Sequence, residues 1–480
     1  MTRRNIAVLI AAAGILVYQL MIPPVVGLAD QGDYARLLGP FHLGPVAQRP
    51  YDRYYGYFNR TYQHDPNFKI PGWEIYSSQD IFVGAAILLN KWISKDGLLD
   101  IRVLAFLEML VFLAICYFLL LATAKLLPGR EHYLIAAALI VIFCDAGYIC
   151  YFNSFYSEPA TYLSLLALLA VWLDWIANGP ADAKHFALFT LCALLFVTAK
   201  PQNVPVGIIL AVYLLRFRKF LQPRWMAPAA SVILLAASLV MYWTVPRPVR
   251  LAQIYNMIFM EMAPQSPSPA AELGELGLDP AYARYSGSTA FIPDTAFWNP
   301  AFQDQLDARV SRAAIVWHYL RRPAKFLNYV RGVLPRGTSL RPVGVGNFEK
   351  SAGYPPVSHA RSFAVWSRFH EHYLALWSSG VLIGLMLAVP LAGWIAARAR
   401  DLRARLVAEC YAVLALAAVA VFFTTILGDA HDIVKHLHLY NVLTDICLVF
   451  AAAVVLSRIT TARRVSSRSK FRFESVTKGG

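Results

Sequence analysis

Charge is scarce in this chain. Only 15% of its 480 residues are Asp, Glu, Lys or Arg, and 58% are hydrophobic, whereas soluble domains carry about 25% charged residues. Mean hydropathy is +0.48. That shortage excludes an ordinary soluble globule and places the chain among proteins that cross a bilayer repeatedly. Metal-ligand spacing is missing as well. The cysteines are Cys116, Cys144, Cys150, Cys192, Cys410 and Cys447. Most lie in apolar runs, none is in the long polar loop, and no CxxC or Cys/His pattern joins them, so they read as small core residues. No Walker A sequence occurs, and no repeat of 20–50 residues is visible. The net charge of +15 comes without a basic stripe interleaved with aromatics. Nucleic acid is therefore not expected as a partner, and the excess of Lys and Arg is read as a membrane-orientation signal.

What the chain does have is long apolar runs. A bilayer core takes about 20 apolar residues per helix. Ten candidate spans follow: 5–27, 102–125, 132–150, 158–177, 185–200, 203–216, 225–245, 373–397, 406–427 and 438–457. The sixth is short, and 79–94 is read as a helix lying at the interface. The expected fold is an all-α polytopic membrane protein of about ten helices with a large outer loop. The first run is longer than the 7–15 residues of a signal h-region and is read as a retained span. Basic loops support the count. "TRR", Lys125 with Arg130, "RFRK", "ARARDLRAR" and the tail after Arg458 all fall on one side, which the positive-inside rule makes cytoplasmic. Both termini are then cytoplasmic in an inner (cell) membrane, and 28–101 and 247–372 lie outside. The divisions are an N-terminal membrane module (1–245), the large outer loop (246–372), C-terminal membrane helices (373–457) and a basic tail (458–480) that reads as disordered. Within the outer loop, 299–320 reads as one amphipathic helix capped by Asn299, with Phe302, Leu306, Val310 and Trp317 on its apolar stripe, and 324–334 as a second.

Polar residues gather at the outer ends of the spans. Asp30 and Asp33 follow span one. Asn153, Tyr156 and Glu158 lie between spans three and four, and Lys200, Gln202 and Asn203 between five and six. "GDAHDIVKHLHLYNVLTD" brings Asp429, His431, Asp432, Lys435, His436, His438, Asn441 and Asp445. Ionisable groups at a span edge usually face a polar cavity, and one shared outer cavity accounts for all four groups. The histidines are not spaced as HExxH, so no metal site is assigned and no cofactor is indicated. Asp30 and Asp33, three apart, share a face if helical. Either can act as a general base toward a sugar hydroxyl. Lys200, Lys435, His436 and the arginines of the outer loop are candidates to hold a phosphate. Lys435 and His438, also three apart, form the better phosphate pair on a continuous helix, with His436 turned toward a neighbouring span.

This arrangement resembles the polytopic GT-C glycosyltransferases, and the phrases "GDYARL", "NSFYSEPATYLSL", "AKPQN", "GNFEKSAGYPP" and "KHLHLYNVLTD" are similar to bacterial envelope-glycan hexose transferases of that type. They run from about residue 27 to 445. The resemblance implies an inverting transferase that takes sugar from a polyprenyl-phosphate donor to a glycan or lipid acceptor at the outer face of the membrane. It carries the base over to Asp30 or Asp33. Members differ in metal use. The rival classes are a lipid-linked glycan transporter or flippase, which favours internal repeats, and an envelope polymerase or ligase.

Overall fold

A computed structural model describes residues 3–477 except 48, 128, 130 and 180; beyond Ser457 only the backbone is described. Arg130, counted above among the basic loop residues, lies outside the described residues.

Each of the ten apolar runs is helical. They begin with α1 (Arg3–Leu20), which stops before Pro23 and Pro24. The loop that follows carries the short α2 (Tyr34–Leu38) and a three-stranded antiparallel sheet, β1 (Leu43–Pro45), β2 (Thr61–His64) and β3 (Leu99–Asp100), with Leu43 opposite His64 and Thr61 opposite Asp100. This sheet is absent from the all-helical expectation. Its strands, of two to four residues, are too short for an alternating pattern to show. α3 (Gln79–Ile93) buries Gln79, Val83, Ala86 and Asn90 and leaves Ile81, Leu88 and Trp92 exposed, an apolar outer face suited to the interface.

α4 (Arg102–Leu126) is a full span. The third run breaks. α5 (Glu131–Val141) and the segment Ala146–Asn153 meet at 52°. Asp145 causes the break by accepting from Gly147 N (2.8 Å) as a cap, and Gln19 Nε2 donates to the freed Cys144 carbonyl (3.0 Å). α6 (Glu158–Asn178) is the most enclosed span. It packs between α4 and α7 (Ala183–Val197), with Trp172 and Trp175 wholly buried. α7 has 15 residues and α8 (Val204–Leu214) has 11, so neither crosses a bilayer unaided. α9 (Met226–Trp243) completes this half.

The long loop opens with α10 (Arg247–Asn256) and later forms α11 (Pro300–Arg309), α12 (Arg312–Leu320) and α13 (Pro323–Gly337). Asn299 caps α11 through Ala301 N (3.0 Å), as its position suggests. The single helix expected over 299–320 splits, because Val310 is extended and Ser311 starts a new cap on Ala314 N (3.1 Å). Trp317 is therefore exposed while Phe302, Leu306 and Val310 are buried. α14 (Ala375–Arg398), α15 (Leu402–Ile426), the four-residue α16 (Ile433–His436) and α17 (His438–Thr477) end the chain. The backbone of the basic segment continues α17 to Thr477, where the sequence reads as a disordered tail. Among the described residues, seven helices are long and apolar enough to span, eight with the bent pair counted as one. The chain is a mostly α-helical, multi-pass membrane protein.

Candidate functional site

The first loop is threaded inward. Gly27 N donates to Asn347 O (2.9 Å), Asn347 Nδ2 returns to Gly27 O (2.7 Å), and Asn153 Nδ2 donates to Val26 O (2.9 Å). A Cβ on Gly27 would sit 2.8 Å from Asn153 O, so the strand-like approach needs glycine. These bonds fix where the next residues emerge. Asp30 lies at the turn. Its Oδ1 accepts from Gly32 N (2.7 Å) and Tyr34 N (3.1 Å), and its side chain is buried. Burial pushes its carboxyl up to about 7 despite those two amides. Gly32, at φ +104°, then reverses the chain, so Asp30 and Asp33 do not share a helical face. Only Asp33, at the start of α2, turns into open space.

That space is two adjoining chambers. The larger, about 580 Å³, is lined by Phe155, Tyr156, Glu158, Lys200 and Gln202 and runs out between Ile208 of α8, Leu239 and Tyr242 of α9 and Phe423 of α15. Ile208, Leu239 and Tyr242 are exposed at the level of the spans. The smaller, about 300 Å³, is lined by Gln31, Tyr55, Trp73, Phe291, Trp298, His431 and Asp432. Asp33, Arg36, Asp429, Lys435 and His436 line both.

The shared wall is a charge network. Lys435 Nζ donates to Asp33 Oδ2 and to Asp432 Oδ2 (2.8 Å) and lies 5.0 Å from the centre of the Tyr156 ring. Arg36 pairs with Asp33 on its other side (3.0 Å). Burial opposes ionisation of Asp33, but Arg36 and Lys435 outweigh it and hold the carboxyl well below the usual range. Burial also opposes the charge on Lys435, and Asp33 and Asp432 hold its pKa above the ordinary lysine value. Burial pushes Asp429 up to about 7, although His431 N (2.9 Å) and Asn256 Nδ2 (3.1 Å) donate to it. His436 is driven well below its usual value by burial, with Lys200 and Lys435 adding to the effect, so it is a neutral ring. Lys200 Nζ donates to Glu158 Oε1 (2.6 Å) in the larger chamber. Arg36, Lys435 and Lys200 are thus each matched by a carboxylate, whereas Arg312, which also lines the larger chamber, bonds the Gln253 side-chain oxygen and lies over the Tyr242 ring. Among the described residues, no group of three or more His, Cys, Asp or Glu is placed to hold a metal ion.

The family described as the YfdI N-terminal transmembrane domain matches residues 1–475. The chain belongs to that family. Among curated proteins none matches it. The archaeal oligosaccharyltransferase AglB from Archaeoglobus fulgidus, solved with an inhibitory peptide and a dolichol-phosphate, aligns at 14% identity over 97% of this chain and 52% of its own, with a TM-score of 0.41. An A. fulgidus oligosaccharyltransferase tethered to an acceptor peptide containing the NVT sequon aligns at 13% identity, over 96% of this chain and 51% of its own, with a TM-score of 0.41. The chain spans about half the length of these structures.

In this YfdI-family chain, several residues singled out by sequence take other places. His438 does not pair with Lys435. Leu437 leaves helical geometry between α16 and α17 (ψ 6°), which resets the phase, and His438 packs into the rings of Tyr148, Tyr151 and Tyr162 at 4.8–6.3 Å. His436, expected to face a neighbouring span, lines both chambers instead. Asn441 holds Gly337 O (2.9 Å), and Asp445 collects Tyr148 Oη (2.6 Å), Trp366 Nε1 (2.7 Å) and His370 Nε2 (2.9 Å), all away from the chambers. Asn203 ties the α7–α8 turn to Thr161 Oγ1 (3.0 Å). Tyr156 lines the larger chamber, and its hydroxyl accepts from Gln31 N (3.0 Å) and donates to Ala29 O (2.8 Å), bracing the first loop. Sequence reasoning missed Arg36, although it stands three after Asp33 in "DYAR". It also missed the aromatic wall of the smaller chamber, which no local pattern announces.

Proposed function

We propose that this protein is a membrane glycosyltransferase that moves a sugar from a polyprenyl-phosphate donor to an envelope glycan or lipid acceptor on the outer face of the membrane. One observation carries the reading. A charged wall stands where an apolar chamber, open between spans, adjoins a polar one. A lipid-linked phosphate needs that combination: an apolar route for the chain, cations for the phosphate and a wet side for the sugar.

In this mechanism the lipid chain lies past Ile208, Leu239 and Phe423. The phosphate draws Arg36 and Lys435 toward itself, with Lys200 at the edge of the same chamber. Asp33 is the base. Its carboxylate takes the proton of the acceptor hydroxyl, whose oxygen forms a bond to the anomeric carbon. The bond from that carbon to the phosphate oxygen breaks, and the electron pair leaves with polyprenyl phosphate. Attack opposite the leaving group inverts the anomeric centre. Competition for Arg36 and Lys435 couples the two events, because the phosphate frees Asp33 of the charges that keep it a weak base. Asp30, closed into its turn, supports the loop.

The test is transfer by the purified protein from a panel of polyprenyl-phosphate sugars. Asp33→Asn is expected to cut turnover by about 10²–10⁴-fold while the protein still inserts, the usual loss of a general base. Full turnover in Asp33→Asn removes that residue from the role. No transfer or hydrolysis of any donor by the wild type removes the function.

A further inference from the structure

The smaller chamber has a chemical character of its own. Trp73 and Phe291 stand with ring centres 6.2 Å apart, and Phe291 continues to His431 at 5.0 Å, forming one aromatic wall. Trp298 and Tyr55 also border it. Trp298 is 53% exposed, Tyr55 51% and Phe291 41%. These rings look into a chamber that also presents Gln31, Asp33 and Asp432, so they do not belong to the lipid-facing belt. Contiguous exposed aromatic surface beside convergent polar groups marks a ligand site.

Resting on the glycosyltransferase reading, we propose that this chamber seats an uncharged hexose ring, held by stacking on Trp73 and Phe291 and by hydroxyl hydrogen bonds to the Asp432 side. The C–H face of a hexose is apolar and weakly positive, which suits the negative face of an aromatic ring. Its hydroxyls both donate and accept, which suits carboxylate and amide neighbours. Charge speaks against an acidic sugar. The donor phosphate takes up Arg36 and Lys435, the Lys and Arg lining this chamber, and Asp33, Asp429 and Asp432 line it too, which leaves no surplus cation for a sugar carboxylate. The wall is also built to hold its shape. Trp298 Nε1 is committed to Ile292 O (3.1 Å), and Arg36 lies 5.5 Å from the centre of the Trp73 ring. Tyr55 and Asp432 both border the chamber at positive φ, 57° and 58°, a conformation that Asp adopts more readily than most residues but that is rare for an aromatic residue such as Tyr55.

The ring belongs either to the donor or to the acceptor, and the experiment separates them. The full-length protein in lipid nanodiscs is titrated with bare polyprenyl phosphate and with the same lipid carrying glucose, galactose, mannose or glucuronic acid. The proteins compared are the wild type, Trp73→Ala/Phe291→Ala, Trp73→Phe and, as a control outside the chamber, Trp92→Ala. For a donor ring, a neutral hexose tightens wild-type binding by about tenfold over the bare lipid, the size expected of two ring contacts. The double variant loses that gain yet binds the bare lipid normally, and Trp73→Phe keeps most of it. For an acceptor ring, the hexose adds nothing to lipid binding, and the double variant raises the acceptor KM by about tenfold in the transfer assay. A double variant with both quantities unchanged overturns the proposal, as does a glucuronyl lipid that gains as much as the neutral ones. Failure of the wild type to bind even the bare lipid is a separate result, because it removes the lipid-phosphate reading itself.

Discussion

The two first-loop aspartates predict different pH profiles. Asp33 is held well below the carboxylate range by Arg36 and Lys435, whereas burial pushes Asp30 up to about 7. For kcat/KM, which reports the free protein, a base at Asp33 stays ionised from pH 5 upward and gives no acid limb there. A base at Asp30 would be about 1% ionised at pH 5 and about 90% at pH 8, so kcat/KM would climb about 90-fold. kcat reports the complex instead. If the donor phosphate takes over Arg36 and Lys435, Asp33 loses two cations, each of which depresses a carboxyl by about 1–3 pKa units. Its acid limb in kcat should then lie at least about two pH units above that in kcat/KM. The donor phosphodiester has no proton to lose in this range, so it does not blur the comparison. The assay is initial-rate transfer from pH 4 to 8.5 with wild type, Asp30→Asn and Asp33→Asn. A steep rise of kcat/KM through pH 7 that vanishes in Asp30→Asn would refute the assignment of Asp33. Absence of any acid limb in kcat between pH 4 and 8.5 would refute the exchange of partners at Asp33, because burial alone would push the freed carboxyl above its usual range.

Three further outcomes are expected. Asp429 lines both chambers with a carboxyl raised to about 7 by burial. Its ionised form appears as pH rises through 7, so donor binding should weaken above that pH in wild type and not in Asp429→Asn, as measured by lipid-phosphate affinity at pH 6 and 8.5. Lys200→Met leaves Glu158, whose side chain is 3% exposed, without its partner. That change should cost about 3–5 kcal/mol of stability, and adding Glu158→Gln should recover most of it in thermal unfolding of the purified protein; no recovery would mean that Lys200 acts through packing alone. Orientation is testable because all six native cysteines are buried and should stay silent. An impermeant thiol reagent added outside intact cells should label Pro293→Cys, while Ser467→Cys should need permeabilisation. The reverse pattern would turn the proposed outer face inward.

The hydrophobic runs made the membrane architecture legible, because burial in lipid demands helices with internally satisfied backbones. Run length was a poorer guide. The third run hides the break at Asp145, since a single capping carboxylate inside 19 residues barely alters the mean hydropathy. The candidate site was legible as a set of span-edge polar residues, and Asp33, Glu158, Lys200, Gln202, Lys435 and His436 do line one chamber. What sequence spacing could not give was phase. Gly32 at φ +104° separates Asp30 from Asp33, and Leu437 separates Lys435 from His438, so residues three apart diverge in both places. The aromatic wall was hidden for another reason. Trp73 and Phe291 come from loops more than 200 residues apart, and only the tertiary fold joins them.

The pairing of Asp33 with Lys435 sets a timetable for biosynthesis. The two residues are 402 positions apart. A ribosome adding about 5–20 residues per second leaves the aspartate without its lysine for roughly 20–80 s after it is made. The long loop that supplies Asn347, 320 positions after Gly27, also arrives late. For most of that interval the nascent first loop lacks the backbone it threads against, and Asp33 has only Arg36 beside it. Segments ending before α16 should therefore insert their early spans yet leave this loop open to protease, and complementation by a separately expressed C-terminal fragment should close it.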